Sequence, residues 1–548
     1  MTGRFAERPR LTMSLPAARR SEHLHRGWVL ALVVLCLVVL SVRLLHIAGS
    51  LPYPYHVDEE AIIGPARAIL VTGNFHPIEF NYPSLPRYLA AAGLAVGFIR
   101  AAPEEGVVDI RQIGSVSYPY YGTPKAVQTS KQLFVVLSVI ALAMTGVVAW
   151  RVTGRPGAVI MGPAILATSD LFFRHSWQYL NVDVVGTCFV VLTVASCLSA
   201  TDRPSVVRSA VVPALWAGLA AASKYTLGLV FLPVLMGIWM YQEGDRRLVS
   251  AGVATATVCL TFLAAVPYAL LDLPAFLNGL AFDAWHYRTG HVGFDDEPGL
   301  SQLRYYANHL TNEFGLVGAV LATVGSVAAL RRDWRRCVLF LTFPVVLLTL
   351  LAGQRVHFTR NVLGIHPLYA VAVGYGFVVL YGWCVRRLVP QSRRLGGPVG
   401  KAAVLFTLLA LTLPAARIVG HMGVTPDSRN LARDWVVQNL PAGWTVVVPA
   451  ELGFDTRGLL DRDFPVQEVS VTTLQDQKDM LALVEGQVVA LVPVWGMDGR
   501  FAAPVDPDEM NATMAGKRTL AEFGSNPVLV NYEPASAWGN PRLLIVAP

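Results

Sequence analysis

The chain has 548 residues, of which 54% are hydrophobic and only 15% are charged, and its formal net charge is +7. Soluble globular domains carry about 25% charged residues, so this composition excludes an ordinary soluble protein and predicts a polytopic α-helical membrane protein. The positive charge does not indicate nucleic acid, because the Arg residues fall in short tracts between apolar runs, a pattern typical of cytoplasmic loops.

Residues 1–26 are rich in Arg and are predicted to be a disordered cytoplasmic tail. The apolar run that follows lacks a small-residue cleavage site, so it is predicted to be a retained helix and not a signal peptide. Together the apolar runs predict 11 to 13 membrane spans within a helical body at 27–420. The candidate spans are 28–47, 84–101, 131–150, 158–173, 184–200, 210–223, 225–241, 248–270, 312–330, 337–352, 362–384 and 401–420.

Basic tracts predict which loops are cytoplasmic. They are Arg246-Arg247, Arg331-Arg332, Arg335-Arg336, Arg386-Arg387 and Arg393-Arg394. Alternation then puts 174–183, 271–311, 353–361 and everything after 421 outside, together with the loop that carries Asp58. Arg151 and Arg155 conflict with this order, because two spans after the Asp58 loop would leave them outside. One early segment is therefore expected to be re-entrant or interfacial, or a helix pair is hidden there.

The six cysteines lie in or beside apolar runs, and no Cys-x-x-Cys or His-Glu-x-x-His spacing occurs. They are predicted to be small buried side chains and not disulfide or metal sites. No cofactor is indicated by the sequence, and no metal is required by the polar residues, although a divalent cation is left open.

Residues 425–548 have a different character from the helical body. An amphipathic helix is predicted at Ser428–Leu440, because Asp427 precedes it and Pro441 follows its end. Short strand-like runs follow at 445–448, 488–492, 528–530 and 543–546. A helix followed by several short apolar strands predicts a small extracytoplasmic α/β domain.

The candidate polar clusters all fall on the predicted outer side. They are Asp58, Glu59 and Glu60; Arg174, His175 and Asp183; Lys224 and Tyr225; His286, Arg288, His291, Asp295, Asp296 and Glu297; and Arg355, His357 and Arg360. Basic groups outside run against the usual charge bias, and a phosphate-bearing ligand would explain them, because Arg and Lys bind phosphate strongly. The plainer alternatives are interface anchoring for the cations, helix capping for Asp183 and ordinary loop positions for the histidines.

Several short motifs, in order along the chain, resemble those of the GT-C glycosyltransferases, in particular the protein O-mannosyltransferases and lipid A aminoarabinose transferases (glycosyltransferase family 39 type). They are Asp58-Glu59, Tyr82-Pro83-Ser84-Leu85-Pro86, Gln178–Asp183, Ala221–Thr226, Gly290-His291-Val292-Gly293, Arg360–Leu368 and Asp427–Leu440. The family more often has His-Pro-Pro where this chain has Tyr82-Pro83-Ser84.

The resemblance implies a membrane glycosyltransferase that moves a sugar from a polyprenyl-phosphate donor to an acceptor hydroxyl on a protein, lipid or polysaccharide. It implies an integral plasma-membrane location with the active site outside, membrane lipids as partners and no nucleic acid. Asp58 resembles the general base of an inverting reaction, and Glu59 is a second catalytic candidate. Donor-phosphate or substrate-binding roles are predicted for Lys224, Tyr225, Arg360, Arg355, Asp183, Arg174, His175, Tyr82 and His291.

Two other classes of protein fit parts of the same pattern. A polysaccharide or polyprenyl-lipid transporter would also be polytopic, but it favours an internal repeat, and none is evident. A non-catalytic sugar-lipid binding subunit would keep the polar cavity but not depend on Asp58 for activity. Within the enzyme hypothesis, the long segment 271–311 is predicted to be a mobile cover over the donor cavity, with Gly290, Gly293 and Gly299 as hinges.

Overall fold

The computed structural model describes residues 15–53, 56–105, 108–113, 116–117, 120–121, 123–178, 180–291, 294–388, 420, 426–452, 454, 456–471, 474–498, 501–504, 512–524 and 542–548. The predicted span 401–420, apart from its last residue, and the predicted strand 528–530 lie outside these residues. The first helix begins at Leu15, so it includes the second half of the segment that was predicted to be a disordered tail.

The body is built from helices that coincide with every predicted span in the described part of the chain. They are α1 (Leu15–Ser50), α2 (Glu60–Thr72), α3 (Leu85–Glu105), α4 (Pro124–Thr153), α5 (Pro156–Ala167), α6 (Asp170–Trp177), α7 (Val182–Ala200), α8 (Val212–Ser223), α9 (Phe231–Tyr241), α10 (Asp245–Ala265), α11 (Tyr268–Leu271), α12 (Leu273–Thr289), α13 (Leu300–Arg332), α14 (Trp334–Ala352) and α15 (His366–Leu388). Short 3₁₀ turns occur at Val57–Glu59, Ile110–Gln112, Tyr225–Val230 and Thr359–Ile365, a π segment at Val207–Val211, and a small hairpin pairs β1 (Val116–Ser117) with β2 (Tyr120–Tyr121).

Seven helical segments in the described residues are long and apolar enough to cross a membrane, or eight if the bent pair α5–α6 forms one span. That pair bends by 67° between Ala167 and Asp170. A total of 11 to 13 membrane spans, as predicted, also requires that shorter apolar helices, such as Val207–Ser223 and Tyr225–Tyr241, and the segment 401–420 cross the membrane.

Helix α3 is not among the segments that are long and apolar enough to cross a membrane. This bears on the predicted side of Arg151 and Arg155, which conflicted with the other basic tracts. If α1 and α4 are successive spans, the end of α4 returns to the side of the N-terminal segment. Arg151, near that end, pairs with Asp202 beyond the end of α7, and Arg336 near the start of α14 pairs with the same carboxylate. These helix ends therefore meet on one side, as the basic tracts predict.

The helices of the body approach closely where small residues line their contacts. A Cβ at Gly325 in α13 would meet the carbonyl oxygen of Ala372 in α15, and a Cβ at Gly376 would meet that of Leu321. Glycine at both positions therefore allows the two backbones to touch, which is how membrane helices gain packing contacts without a hydrophobic driving force between them.

The C-terminal region contains a five-stranded mixed sheet in the order β4-β3-β5-β9-β8. Its helices are α16 (Ser428–Asn439), α17 (Arg457–Leu460) and α18 (Leu474–Ala482), with a 3₁₀ turn at Ala450–Leu452. Its strands are β3 (Thr445–Pro449), β4 (Val466–Val469), β5 (Val488–Pro493), β8 (Arg518–Phe523) and β9 (Leu543–Ala547), and β6 (Trp495–Asp498) pairs separately with β7 (Phe501–Pro504). Ala432 and Val436 of α16 pack on the buried residues of the central strands, so this unit has its own apolar core.

The C-terminal unit contacts the chain just before the Asp58 turn. The Asp427 amide donates to the Gly49 carbonyl, and the Asn430 side chain donates to the Leu51 carbonyl at 3.0 Å. The buried Arg429 guanidinium lies 3.7 Å from the centre of the Tyr53 ring and pairs with Asp427 at 2.8 Å. The end of α1 and the residues that follow it, 49–53, are therefore held against the C-terminal unit.

Candidate active site

A cavity of about 740 Å³ lies where the Asp58 turn, the 81–83 segment, α12 and residues 349–360 meet. This volume falls within the range of small-molecule sites. Its walls combine charged, aromatic and apolar side chains. The lining residues are Asp58, Asn81, Tyr82, Pro83, Lys224, Tyr225, Thr226, Leu280, Phe282, Asp283, Ala284, His286, Tyr287, Arg288, His291, Thr349, Leu350, Gly353, Gln354, Phe358 and Arg360.

Asp58 lies in the 3₁₀ turn Val57–Glu59, which the His56 ring caps by accepting the Asp58 amide at 3.0 Å. Its carboxylate pairs with Arg360, whose Nη2 is 3.1 Å from Oδ2. Burial raises the pKa of the Asp58 carboxyl, but the charges of Arg360, His56, Lys224 and His175 outweigh burial, so the net pKa lies below its ordinary value. The group is therefore an ionised carboxylate at neutral pH, as a general base requires.

Glu59 faces away from the cavity, although it follows Asp58 directly. Its side chain is fully buried, forms a 3.0 Å ion pair with Lys131 of α4, and accepts the Leu180 amide at 3.1 Å. Lys131 also donates to the Gln178 carbonyl at 2.8 Å. The prediction that Glu59 is catalytic does not fit this geometry, because the carboxylate is committed to fixing the turn against the segment before α7.

Lys224 and Asp183 form a second ion pair beside the cavity. Lys224 Nζ is 2.7 Å from Asp183 Oδ1 and also donates to Asn361 Oδ1 at 2.9 Å. Asp183 is placed in the first turn of α7, whose N-cap is Asn181 and not Asp183. Both cations predicted to bind donor phosphate, Lys224 and Arg360, therefore also neutralise a carboxylate of the protein.

The predicted aromatic contacts gather in the same cavity. Tyr82 lines it, and the negative charge of Asp58, followed by burial, raises the pKa of the Tyr82 phenol well above its ordinary value, which keeps it an O–H donor. The Tyr225 hydroxyl donates to the Phe80 carbonyl at 2.9 Å. His291 contacts Phe358 edge to face, and the same Phe358 ring lies under the Arg360 guanidinium at 4.1 Å.

Four predicted binding residues do not line the cavity, and one of them is Asp183, which lies beside it. Arg355 pairs with the exposed Glu297, and Arg174 pairs with Asp170 within its own helix. His175 is buried, and its Nδ1 lies 2.9 Å from the Leu171 carbonyl, so its ring is not part of the cavity wall. The basic tracts predict only that these residues lie on the outer side of the membrane. They do not indicate which side chains reach the cavity.

The predicted open loop 271–311 is largely helical. Helix α12 covers Leu273–Thr289 and α13 begins at Leu300, so the connection between the two helices is only ten residues long, 290–299. Within the described residues, Gly290 and Gly299 both have positive φ, as expected of glycines that reverse the chain between two helices. Asp272 caps α12 and pairs with His76 at 3.0 Å, which docks the helix on the segment that carries Tyr82.

The sequence hypotheses missed Asn361 and Asp283. Asn361 follows Arg360 in the Arg360–Leu368 motif, and its Oδ1 accepts from both Lys224 and the Tyr287 hydroxyl, at 2.9 and 3.4 Å. Asp283 lies on α12, where burial raises the pKa of its carboxyl to about 7 although the Lys224 charge acts in the opposite direction. Within the described residues, no group of three or more His, Cys, Asp or Glu is arranged to hold a metal ion.

No protein-family model and no curated protein matches this sequence. Among solved structures, the chain is similar to ArnT from Cupriavidus metallidurans in the apo state, at TM-score 0.50 and 12% identity, over 95% of this chain and 98% of that one. It is also similar to the same ArnT bound to undecaprenyl phosphate, at TM-score 0.49 and 13% identity, over 95% and 98%. A third similar structure is the apo Archaeoglobus fulgidus oligosaccharyltransferase, at TM-score 0.44 and 10% identity, over 83% of this chain and 69% of that one.

The likeness to apo ArnT extends over nearly the whole chain, but at 12% identity it bears on the fold alone. It covers both the helical membrane body and the C-terminal α/β region, in agreement with the resemblance in the sequence motifs. The chain therefore shares the overall fold of this ArnT.

Proposed function

We propose that this protein is a glycosyltransferase that moves a sugar from a polyprenyl-phosphate donor to an acceptor hydroxyl at the extracytoplasmic face. The observation that carries the proposal is the ionised Asp58 carboxylate, paired with Arg360 in the wall of a cavity large enough for a small-molecule substrate. ArnT, whose fold this chain shares, has been solved with undecaprenyl phosphate, and that ligand belongs to the same chemical class as the proposed donor.

The reaction follows from the charges around the cavity. Asp58 accepts the proton of the acceptor hydroxyl while that oxygen attacks the anomeric carbon of the donor sugar. The bond between that carbon and the phosphate oxygen breaks, and the polyprenyl phosphate leaves with the electron pair. A single displacement of this kind inverts the configuration at the anomeric carbon.

Two cations near the base are suited to stabilise the leaving phosphate. Arg360 and Lys224 line the cavity, and each is already held by a carboxylate and by its neighbours, so neither needs to reorganise far when charge develops. The apolar wall formed by Leu280, Phe282 and Leu350 suits the first isoprene units of a lipid donor.

Purified protein should transfer sugar from at least one member of a panel of undecaprenyl-phosphate sugars. Protein, lipid and polysaccharide fractions of the cell envelope would serve as acceptors, with the products identified by mass spectrometry. Asp58→Asn is the test variant, and Asp245→Asn, which changes an exposed carboxylate at the start of α10, is the matched control.

The possible outcomes separate the three classes of protein. Transfer that requires Asp58 supports the proposal. Donor binding without transfer to any fraction favours a non-catalytic binding subunit. Transfer that survives both Asp58→Asn and Asp58→Ala rejects Asp58 as the general base. Movement of intact lipid-linked sugar across a vesicle membrane, without transfer, favours the transporter.

A further inference from the structure

Helix α12 forms part of the cavity wall. Leu280, Asp283, Ala284 and Tyr287 recur at helical spacing, and all four line the cavity. Trp285, between them in sequence, is instead 59% exposed. Among the residues of α12 that line the cavity, Asp283 is the only acidic side chain.

Asp58 and Asp283 are the two carboxyl groups among the described lining residues, and their surroundings differ. Asp58 is paired with Arg360. Asp283, although partly buried, makes no hydrogen bond or ion pair with any described residue of the chain. A sheltered carboxyl without a protein partner is unfavourable unless water or a ligand satisfies it.

The neighbours of Asp283 are already committed to other partners. The Tyr225 hydroxyl donates to the Phe80 carbonyl, and Lys224 donates to Asp183 and Asn361. The Tyr287 hydroxyl, one helical turn further along, donates to Asn361 as well. Asp283 is thus a lining carboxyl whose hydrogen-bonding capacity is not used by any described residue, so a ligand can use it.

A hydroxyl group can form a hydrogen bond with either protonation state of such a carboxyl. The ionised form accepts a hydrogen bond from a hydroxyl, and the protonated form can also donate to a hydroxyl oxygen. Because burial raises the pKa of Asp283 to about 7, both forms are populated near neutral pH, and either can bind an alcohol. A phosphate would instead be repelled by the ionised form.

We propose that Asp283 is a specificity-determining residue that hydrogen-bonds a hydroxyl of a polyol bound in the cavity. The inference rests on the proposed function for the source of that polyol, which is either the donor sugar or the acceptor. Asp283 does not act on the reacting atoms; it selects and orients the molecule that carries them.

The donor arm of the test compares undecaprenyl phosphate with and without a single hexose, by equilibrium binding to the full-length protein in lipid nanodiscs. If Asp283 binds the donor sugar, Asp283→Ala weakens binding of the glycosylated lipid about tenfold or more and leaves the bare lipid unchanged. Asp283→Asn retains part of the affinity, because an amide still hydrogen-bonds hydroxyls. Asp245→Asn changes neither affinity.

The acceptor arm uses steady-state kinetics with the acceptor fraction found in the transfer assay. If Asp283 binds the acceptor, both lipids keep their affinity in Asp283→Ala, while the KM for the acceptor rises about tenfold and kcat changes little. Either selective effect supports the proposal. Unchanged binding and unchanged KM overturn it, and so does an equal loss of affinity for both lipids, which would indicate a general distortion of the cavity.

Failure of this inference and failure of the proposed function give different results. A wild-type protein that transfers no sugar and binds both lipids alike rejects the function, and the assignment of Asp283 with it. A competent wild type with an unaffected Asp283→Ala variant rejects only the role of Asp283.

Discussion

Arg360 and Asp58 form an ion pair in the wall of the cavity, with Nη2 of the guanidinium 3.1 Å from Oδ2 of the carboxylate. The pair joins the 3₁₀ turn after α1 to the 3₁₀ turn before α15, so residues from opposite ends of the helical body meet at one point. The guanidinium also stacks on Phe358, which limits its movement. The pairing keeps a partly buried carboxylate ionised, and in the proposed reaction it holds a cation beside the leaving phosphate.

Replacing Asp58 with Asn should abolish turnover without unfolding the protein. The amide is of similar size but cannot accept the acceptor proton, so we expect kcat to fall by about 10²-fold or more, the usual scale for loss of a general base. Transfer rates and thermal unfolding in the same nanodiscs would be measured side by side. Turnover close to wild type in a folded Asp58→Asn preparation would contradict the assignment.

Replacing Arg360 with Gln should move the acidic limb of the pH–rate profile to higher pH. Burial raises the pKa of Asp58 and Arg360 is the largest of the charges that lower it, so removing that charge lets the pKa rise. Because the base works only when ionised, activity is then lost at a higher pH as the pH falls. A loss of kcat/KM that is uniform with pH would instead assign Arg360 to donor binding alone.

The sequence predicted the helices well because apolar runs of membrane length are its strongest signal. It predicted less about side-chain direction. Asp58 and Glu59 are neighbours in a 3₁₀ turn, where successive side chains point about 120° apart, so one faces the cavity and the other is buried against Lys131. Nothing in the local sequence distinguishes the two carboxylates.

The positions of Lys131 and Asp283 in the structure could also not be predicted from their sequence context. Lys131 begins a predicted span and reads as a residue at the membrane surface, yet it is 1% exposed. Asp283 lies in a stretch of mixed aromatic and polar residues that reads as a loop, because the helical period of α12 is weak there. Only the tertiary structure brings Asp183, Lys224 and Asn361 into one network.

The Lys224–Asp183 pair should serve both stability and donor binding. Lys224→Met leaves the Asp183 carboxylate buried without its cation, which costs about 3–5 kcal/mol in comparable pairs. Combining Lys224→Met with Asp183→Asn should recover part of that loss, because the double variant buries no charge. Thermal unfolding of the four proteins would measure the coupling.

Donor affinity provides the separate test of the phosphate contact. We expect Lys224→Ala and Arg360→Ala each to weaken binding of undecaprenyl phosphate, and Arg360→Lys to restore it only in part if the contact is bidentate. Unchanged affinity in both Ala variants would indicate that these cations only hold the carboxylates in place.

The Glu59–Lys131 pair should position Asp58 and take no part in the chemistry. Glu59→Gln leaves a fully buried Lys131 uncompensated, so we expect a loss of about 3–5 kcal/mol in stability together with reduced turnover. The double variant Glu59→Gln/Lys131→Met removes both charges and should regain stability and activity together. Lys125→Met, an exposed change on the same helix, is the control. A double variant that is stable again but inactive would make Glu59 a catalytic residue.

Helix α12 and the connection after it should close over a bound donor. The helix is docked by Asp272 on His76 at its start, and near its end the Tyr287 carbonyl accepts the Arg355 amide at 3.0 Å. Gly290 and Gly299 are the first and last residues of the connection between α12 and α13, and both have positive φ, so they can absorb a change of direction. A cover of this kind would exclude water, which otherwise competes with the acceptor as nucleophile.

Hydrogen exchange measures this closure directly. Exchange across 283–291 should slow when a non-hydrolysable analogue of a glycosylated undecaprenyl phosphate is added, because the cavity face of α12 becomes covered and its opening less frequent. Peptides from α10, which does not line the cavity, should exchange at the same rate with and without the analogue. Identical exchange over 283–291 in a protein that demonstrably binds the analogue would mean that α12 is a fixed wall of the cavity and not its cover.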